Sequence, residues 1–408
     1  MSSIPPEIHG YVVDLLHDEP ETLKACCLVS KSWVPRTREH LFASIWFATK
    51  EDLELWKKAF PDSANSLGFY VRNLFISCPE SIVAADAEEG GWIRVFSSVE
   101  SLYLDNGQWY LNASTGSLAP FHTFASTLKS LRISPILFPC PQLFDLICSS
   151  PLLEDLSVAG SNKSSGDGTN PNLPPPDVPS TSPPLTGTLG LNVAEGMGGT
   201  VRQLLDLPNG LHFRGLKLSW DLKEDLRGVT ELVEECSHTL ELFHIACDTS
   251  CTSIWHPHHI TSLLLSSDRL GPASIDLSEG SINLSGATRL KDLAFRYQSH
   301  EIGWIAEALG TITPQHGDLR RISIYLPFRL TVGINVRESV GEAIVRQWLD
   351  LDRLLVQFWE SHSIRSRIGC MRLWEKRRNV EYYVGCLLPE AAKRGVVDLV
   401  EYTGLPDE

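Results

Sequence analysis

The chain has 408 residues, 43% of them hydrophobic and 21% charged, and its formal net charge at pH 7 is −15. This is the composition of a globular protein rather than a disordered one, and the length predicts two or more structural units. Because binding to a phosphate backbone needs a positive surface, so acidic a chain is not expected to bind nucleic acid.

No segment of the sequence predicts secretion or a membrane span. The first residues, MSSIPPEIHGYVVDLL, have no basic region, and polar residues interrupt their apolar run, so we do not expect a signal peptide. No window approaches about eighteen uninterrupted apolar residues. The ten cysteines lie mostly in apolar strings, where we expect reduced thiols. We therefore expect an intracellular protein of the cytoplasm, the nucleus or both.

Residues 4–47 predict three short helices. The first opens on prolines, which a helix accepts at its start, and Ile8, Val12 and then Leu15 or Leu16 recur along one face. Pro35 interrupts the helical pattern after Trp33, and a last short helix follows. A bundle of roughly forty residues barely offsets the entropy of its chain, so this segment is expected to need a neighbour. A connecting helix is expected over 51–70.

A different pattern, apolar-x-x-apolar-x-apolar, recurs over residues 71–335. Its copies, such as VRNLFI and VESLYL, begin at residues 71, 99, 128, 153, 186, 213, 240, 290 and 319. Most intervals are 25 to 33 residues, and the one of 50 leaves room for a blurred copy, ITSLLL, at 260. One short strand per unit, with helix-like stretches between, is typical of leucine-rich repeats, which bury their leucines by stacking.

Two segments depart from the repeat pattern. Residues 161–184 are crowded with Pro, Ser and Gly, so we expect a disordered insertion within the array. Near the C-terminus, Ser339 and Glu342 form a capping box at the start of an amphipathic helical pattern. Residues 336–408 are therefore expected to form a helical cap on the open end of the array.

The best metal-site candidate is HIACDTSCTSIWHPHH at 244–259. Its possible ligands are Cys247, Cys251, His256, His258 and His259. It lacks a second cysteine pair with zinc-site spacing, and Pro257 makes joint ligation by the neighbouring histidines awkward. An ordinary loop is the expected structure, and neither a metal nor another cofactor is predicted.

No other motif predicts catalysis. The glycine-rich stretch at 195–205 lacks the Lys-Ser/Thr pair of a phosphate-binding loop. Cys148 and Cys236 lie in apolar helical stretches without an adjacent base, so neither is expected to act as a nucleophile. The basic run at 364–378 fits a solvated face, a patch for an acidic partner or a nuclear-import signal. We therefore expect a protein that is not an enzyme.

The N-terminal segment resembles an F-box. In that family a Leu-Pro-x-Glu-type start leads across three helices to a Val-Cys-x-x-Trp segment and a final Leu-Trp/Phe pair. The counterparts in this chain are Ile4-Pro5-Pro6-Glu7, Val29-Ser30-Lys31-Ser32-Trp33 and Leu41-Phe42, with Ile4 in place of Leu and Ser30 in place of Cys. Together with the repeats and the LLPEAAKRGVVDLVE ending, the whole chain resembles the leucine-rich F-box proteins that mushroom-forming fungi carry in large numbers. The resemblance implies an α/β fold with a three-helix F-box in 1–50, a curved leucine-rich-repeat-like solenoid and the helical C-terminal cap.

The same resemblance implies a non-catalytic, substrate-recognition subunit of an SCF-type ubiquitin ligase. Its F-box would dock on a Skp-family adaptor, which links it to a cullin, and its repeats would bind a protein substrate. The residues expected to contact the adaptor are Ile4, Pro5, Ile8, Val12, Leu28, Val29, Trp33 and Leu41. Substrate contacts are expected from side chains that alternate with the buried leucines of the strands, for example Glu100, Tyr103, Lys129, Arg132, Lys217 and Arg320.

Two alternatives stay open. Aromatic residues also dominate protein cores, so the F-box-like segment around Trp33 can instead pack internally, in a repeat scaffold that recruits no ligase. A repeat-based enzyme is the other alternative, but it needs a convergent polar site that the sequence does not display.

Overall fold

The computed structural model describes most of the chain in fourteen stretches. These are residues 5–61, 67–77, 91–105, 118–138, 141–162, 185–193, 197–207, 210–220, 227–247, 282–297, 302–326, 342–371, 381–382 and 384–402. The chain divides into two units, one of residues 1–160 with 176–183 and one of residues 161–175 with 184–408. Both combine helices with parallel strands, which confirms the predicted mixed α/β class.

The first unit begins with three short helices. They are α1 (Pro6–Asp14), α2 (Pro20–Val29) and α3 (Val34–Leu41). Each has a proline in its first turn, where the missing N–H costs no intrahelical hydrogen bond. The buried side chains of the three helices are few and small or medium in size: Val13, Leu23, Cys26 and Thr37. A core this small leaves many apolar side chains outside it.

Parallel strands form the rest of the first unit. They are β1 (Ser44–Phe47), β2 (Asn73–Ile76), β3 (Ser101–Asp105), β4 (Ser130–Phe138) and β5 (Asp155–Asn162), which lie side by side in sequence order. Two helices, α4 (Lys50–Ala59) and α5 (Pro141–Ser149), and three 3₁₀ turns (Leu67–Tyr70, Trp92–Val95, Ala119–Phe124) lie between them. Alternate strand residues, such as Leu74 and Ile76, are buried.

The second unit repeats this arrangement. Its strands are β6 (Thr188–Val193), β7 (Gly215–Trp220), β8 (Leu242–Cys247), β9 (Asp292–Tyr297), β10 (Arg321–Leu326), β11 (Ser366–Met371) and β12 (Val397–Tyr402), all paired in parallel with their sequence neighbours. Its helices are α6 (Met197–Leu205), α7 (Arg227–Cys236), α8 (Gly303–Gly310), α9 (Glu342–His362) and α10 (Pro389–Lys393).

The same side-chain hydrogen bond recurs between successive strand segments in both units. Thr127 donates its hydroxyl to the carbonyl of Val99, at 2.6 Å, and Thr239 donates to the carbonyl of Phe213, at 3.0 Å. Each threonine precedes the first apolar residue of its repeat pattern, and each acceptor is the first apolar residue of the copy before it. The two units are therefore built from one kind of strand-and-turn element.

The segment predicted as a helical cap, 336–408, contains strands as well as helices. The described part of this segment contains α9 and α10, but β11 and β12 lie there as well and extend the sheet beyond β10. The sheet of the first unit also begins earlier than predicted, because β1 pairs with β2. Most of the predicted insertion, residues 163–184, and the blurred repeat at 260 lie outside the described residues.

Candidate functional site

The clearest unpartnered surface of the described chain is an apolar face on α1. Ile8, Tyr11, Val12 and Leu15 follow the helical spacing of one face, and all four are exposed, Tyr11 by 62% and Leu15 by 65%. Val13, on the other side of the helix, is fully buried. The helix is therefore apolar on both sides, although only one side has a partner within the unit.

The C-terminal end of α2 adds to the exposed apolar surface. Leu28 is 89% exposed, and Val29 beside it is also exposed. The buried residues of the same helix are Leu23 and Cys26, which precede this exposed end. We call the six exposed residues Ile8, Tyr11, Val12, Leu15, Leu28 and Val29 the apolar face. Exposed apolar side chains in such number are a usual mark of a protein-binding surface.

Trp33 is only partly buried and lies beside this region rather than in the small core. Its ring centroid is 5.5 Å from that of His9, and its carbonyl accepts a hydrogen bond from the Thr37 hydroxyl at 2.8 Å. Of the other residues expected to contact an adaptor, Pro5 is exposed, Leu41 is half-buried and Ile4 lies outside the described residues. Trp33 therefore supports the local fold and still has part of its surface exposed.

Polar and charged side chains hold α1 against α3. Arg36 donates two hydrogen bonds to the Asp14 carboxylate, at 2.6 and 2.9 Å, and His40 Nε2 lies 2.8 Å from the same group. The hydrogen bonds from Arg36 are the main cause, and the one from His40 the second, of the lowering of the pKa of Asp14 from 3.8 to about 2. The carboxylate is therefore charged at any physiological pH, and the pairing fixes the direction of α1.

The predicted substrate residues fall into two groups. Tyr103, Arg132 and Lys217 lie within strands, in the register of the sheet. Glu100, Lys129 and Arg320 each lie one residue before a strand instead. The Glu100 carboxylate forms ion pairs with Arg72, at 3.1 Å, and with Lys129, at 2.8 Å. Glu100 and Lys129 therefore join neighbouring repeats rather than stand free for a substrate.

Sequence reasoning missed two exposed aromatic side chains, Tyr11 and Trp46. Tyr11 belongs to the apolar face, and its i+3 spacing from Ile8 indicated this position. Leu15 was placed on this helical face but was not among the expected adaptor contacts. Trp46 of β1 is 68% exposed and in register with Phe75 of β2, which stacks on Tyr103 of β3 with ring centroids 4.3 Å apart. A further match to the repeat pattern, FASIWF at 42–47, would have placed Trp46 on a strand.

The described residues offer little for catalysis or metal binding. No group of three or more His, Cys, Asp and Glu side chains suited to a metal occurs among them. The predicted candidate lies only partly within them, since 248–259 is not described. Burial raises the pKa of the Cys148 thiol to about 11 and that of Cys236 to about 12, so neither forms a reactive thiolate at neutral pH.

The basic run at 364–378 is described only as far as residue 371. Within it, the Arg365 guanidinium lies 5.7 Å from the Trp359 ring centroid and 3.7 Å from an Asp398 oxygen. Arg367 is an exposed residue of β11. The described part of the run is thus mostly strand, with Arg367 exposed on it and Arg365 exposed just before it.

Comparison with known proteins assigns the chain to no family. No family model matches the chain, and no curated protein matches it. Among the described residues, no helix has the length and apolar character needed to cross a membrane.

Proposed function

We propose that this chain is a substrate-recognition subunit of an SCF-type ubiquitin ligase. The N-terminal helices dock on a Skp-family adaptor, which connects them to the cullin core, and the strand face binds a protein substrate. The chain contributes no catalytic group. It accelerates ubiquitin transfer by holding a substrate lysine near the charged conjugating enzyme, which raises the effective concentration of the reacting groups.

The observation that carries this proposal is the apolar face. Six large apolar side chains are exposed on two helices of a bundle whose own core is small. Full burial of one such side chain in a partner is favourable by about 1.5–3 kcal/mol, so a complementary groove has a strong driving force to cover them. The exposure of Leu28 and Val29 also disfavours the alternative in which this segment packs internally.

The strand units are proposed to be leucine-rich repeats. Their support is the parallel pairing in sequence order, one strand per copy of the apolar pattern, and the recurring threonine-to-carbonyl bond. Such arrays present one row of alternate strand residues on the face where a partner binds. The substrate contacts would come from that row, which includes Tyr103, Arg132 and Lys217.

The test is co-purification of the full chain with a Skp-family adaptor. Leu28→Asp is the sharpest variant, because the side chain is exposed and its loss leaves the small core intact. We expect binding to weaken by about thirtyfold or more, since truncating an interface hot spot costs at least about 2 kcal/mol. Leu55→Asp is the matched control, since Leu55 is 64% exposed on α4, outside the apolar face.

Circular dichroism of both variants should match the wild type. A wild-type chain that binds no adaptor would overturn the proposal and favour a scaffold without a ligase role. Equal binding by wild type and Leu28→Asp would overturn the assignment of the apolar face. Trp33→Ala is less informative, because Trp33 also contacts His9 and Thr37 within the fold.

A further inference from the structure

The outward face of strands β7 to β11 is rich in cations, although the chain as a whole is acidic. Residues of these strands alternate between buried leucine, isoleucine or phenylalanine and side chains on the opposite face. The basic members of that opposite face are Lys217, Arg296, Arg321 and Arg367. The full chain has 50 acidic and 35 basic residues, so this local excess of positive charge runs against the average.

One row of residues crosses all five strands in register. Lys217 pairs with His244, which pairs with Ala294, then Ser323 and finally Arg367. The two ends of the row are four strand spacings apart, or about 19 Å. Two small and buried residues, Ala294 and Ser323, occupy the middle of the row, and longer basic side chains stand at both ends. A ligand along this row would meet two separate positive charges, one at each end, rather than one point.

The acidic groups of the face are already engaged. Asp292 lies 3.1 Å from Arg321 and 3.6 Å from His244. Asp398, the register neighbour of Arg367 on β12, lies 3.7 Å from Arg365. By contrast, neither Lys217 nor Arg367 forms an ion pair within the described part of the chain.

Two buried polar atoms of the same strands add a second observation. The Ser219 hydroxyl lies on the outward side of β7, two residues after Lys217, yet the residue is almost completely buried. Neither this hydroxyl nor Nε2 of His244 has a hydrogen-bond partner among the described residues. Buried polar atoms are rarely left unpaired in native proteins, so hydrogen bonding beneath this face is incomplete, although His244 Nε2 does lie 3.6 Å from the Asp292 carboxylate.

We infer that this row, from Lys217 to Arg367, binds an extended acidic segment of a partner protein. We call it the cationic row. Cations about 19 Å apart match the length of roughly six extended residues. They are too far apart to converge on one phosphate, which favours a run of carboxylates instead. The inference rests on the proposed role of the strand face in substrate binding, and it names the chemical class of that substrate segment.

The test is fluorescence anisotropy of the full chain with a fluorescein-labelled hexaglutamate peptide. We expect binding that weakens between 50 and 200 mM NaCl, because exposed charges are screened by salt. Lys217→Ser/Arg367→Ser should weaken it by about tenfold at the lower salt concentration. The matched control is Arg346→Ser/Arg353→Ser, which removes the same charge from exposed positions of α9.

Absence of wild-type binding would overturn the inference, and so would equal weakening by the two double variants. Tighter binding of a glycine peptide with a single phosphoserine would contradict an extended occupant. Tighter binding of a thymidine hexanucleotide would contradict a protein partner. Adaptor co-purification with Lys217→Ser/Arg367→Ser should match the wild type, so a failure at the cationic row is distinguishable from a failure at the apolar face.

Discussion

At the scale of single residues, Asp14 links the sequence to the shape of the apolar face. Its carboxylate contacts Arg36 and His40 of α3, and these contacts hold α1 in the orientation that exposes Ile8 and Leu15. The carboxylate remains partly exposed, and an exposed ion pair is worth only about 1 kcal/mol or less. Its contribution is therefore more to the direction of α1 than to global stability.

The lowered pKa of Asp14 predicts a pH-dependent stabilisation. Because the pKa in the folded state, about 2, is below the ordinary 3.8, the stabilisation is complete above roughly pH 4 and is lost as the pH falls towards 2. We expect Asp14→Asn to lower the thermal midpoint at pH 7, with the difference from wild type shrinking below pH 4. Thermal unfolding followed by circular dichroism from pH 7 to 2.5 measures this.

Asp18→Asn serves as the control for Asp14, since the Asp18 carboxylate is highly exposed and lies 3.0 Å from His17. It should change the thermal midpoint little at any pH. A constant difference between wild type and Asp14→Asn over the whole pH range would contradict the role of the charged carboxylate.

Asp352 is a buried carboxylate whose function is to cap a helix. It lies on α9 and is 2% exposed, and its two oxygens accept hydrogen bonds from the backbone N–H groups of Glu390, at 3.0 Å, and Ala391, at 2.8 Å. These are first-turn donors of α10, which have no partner inside their own helix. The LLPEAAKRG segment is thus fixed by a residue far away in the sequence.

Replacing Asp352 by Leu should destabilise the second unit markedly. Two buried N–H groups would lose their acceptor, at about 1–3 kcal/mol each. We expect a clear drop in the urea midpoint and a smaller one for Asp352→Asn, which keeps one acceptor. Asp350→Leu is the matched control, because Asp350 is an exposed residue of the same helix, paired with Arg353. Similar midpoints for Asp352→Leu and Asp350→Leu would refute the capping role.

At the scale of the elements, α9 organises the helices on both of its sides. Besides Asp352, its Gln347 side-chain oxygen accepts hydrogen bonds from the N–H groups of Ile302, at 3.0 Å, and Gly303, at 3.1 Å, at the start of α8. Two polar residues on one amphipathic helix therefore accept hydrogen bonds from the backbone N–H groups at the starts of two other helices. The helical pattern of α9 was visible in the sequence, but these caps were not, because each joins residues about forty positions apart.

The pairing of β10 with β11 depends on a glycine. Gly369 is in register with Tyr325, and a β-carbon there would overlap two ring carbons of the tyrosine. Burial raises the pKa of the Tyr325 hydroxyl, while a hydrogen bond with Ser323 acts in the opposite direction. The tyrosine ring therefore lies against Gly369 as part of the sheet surface.

Gly369→Ala should destabilise the second unit by about 1–3 kcal/mol, the usual cost of forcing a packed side chain to move. Adding Tyr325→Ala should recover part of the loss, which a double-mutant cycle of urea midpoints would reveal. Gly310→Ala is the control, since a β-carbon at Gly310 meets nothing within 4 Å. Full additivity of the two substitutions would show that the ring does not occupy this space.

The strands show which part of the fold a sequence can reveal. Copies with leucine or isoleucine at the inward positions were predicted, and β2 and β3 lie where VRNLFI and VESLYL place them. The strand β11 was not predicted, because Ser366 occupies the position that Ile322 holds in β10. This serine is fully buried. A polar residue at an apolar position hides a repeat from any pattern of hydrophobicity.

At the scale of the whole molecule, the sequence indicated some interaction residues and not others. Ile8, Leu28 and Val29 were predicted from a segment with more apolar residues than it can bury, and all are exposed. The pairing of Glu100 with its neighbours was not predictable, because adjacency between repeats sets it rather than position in one strand. The alignment of Lys217 with Arg367 likewise depends on the register of five strands.

Net charge and the apolar face have opposite effects on self-association. At pH 7 a charge of −15 keeps copies of the chain apart, but this repulsion disappears near the isoelectric point of about 5.3. The Asp14 carboxylate, with its pKa of about 2, is still charged there, so the helices keep the apolar face exposed. We therefore expect the isolated chain to associate near pH 5.3 through this face.

Light scattering of the chain from pH 8 to 5 would show this as a sharp rise near pH 5.3. Leu28→Ser/Leu15→Ser should suppress most of the rise, because it removes two of the most exposed members of the apolar face. Leu55→Ser/Leu152→Ser removes two exposed leucines from outside the face and should leave the rise intact. Equal suppression by both pairs would mean that general surface hydrophobicity, rather than the apolar face, drives association.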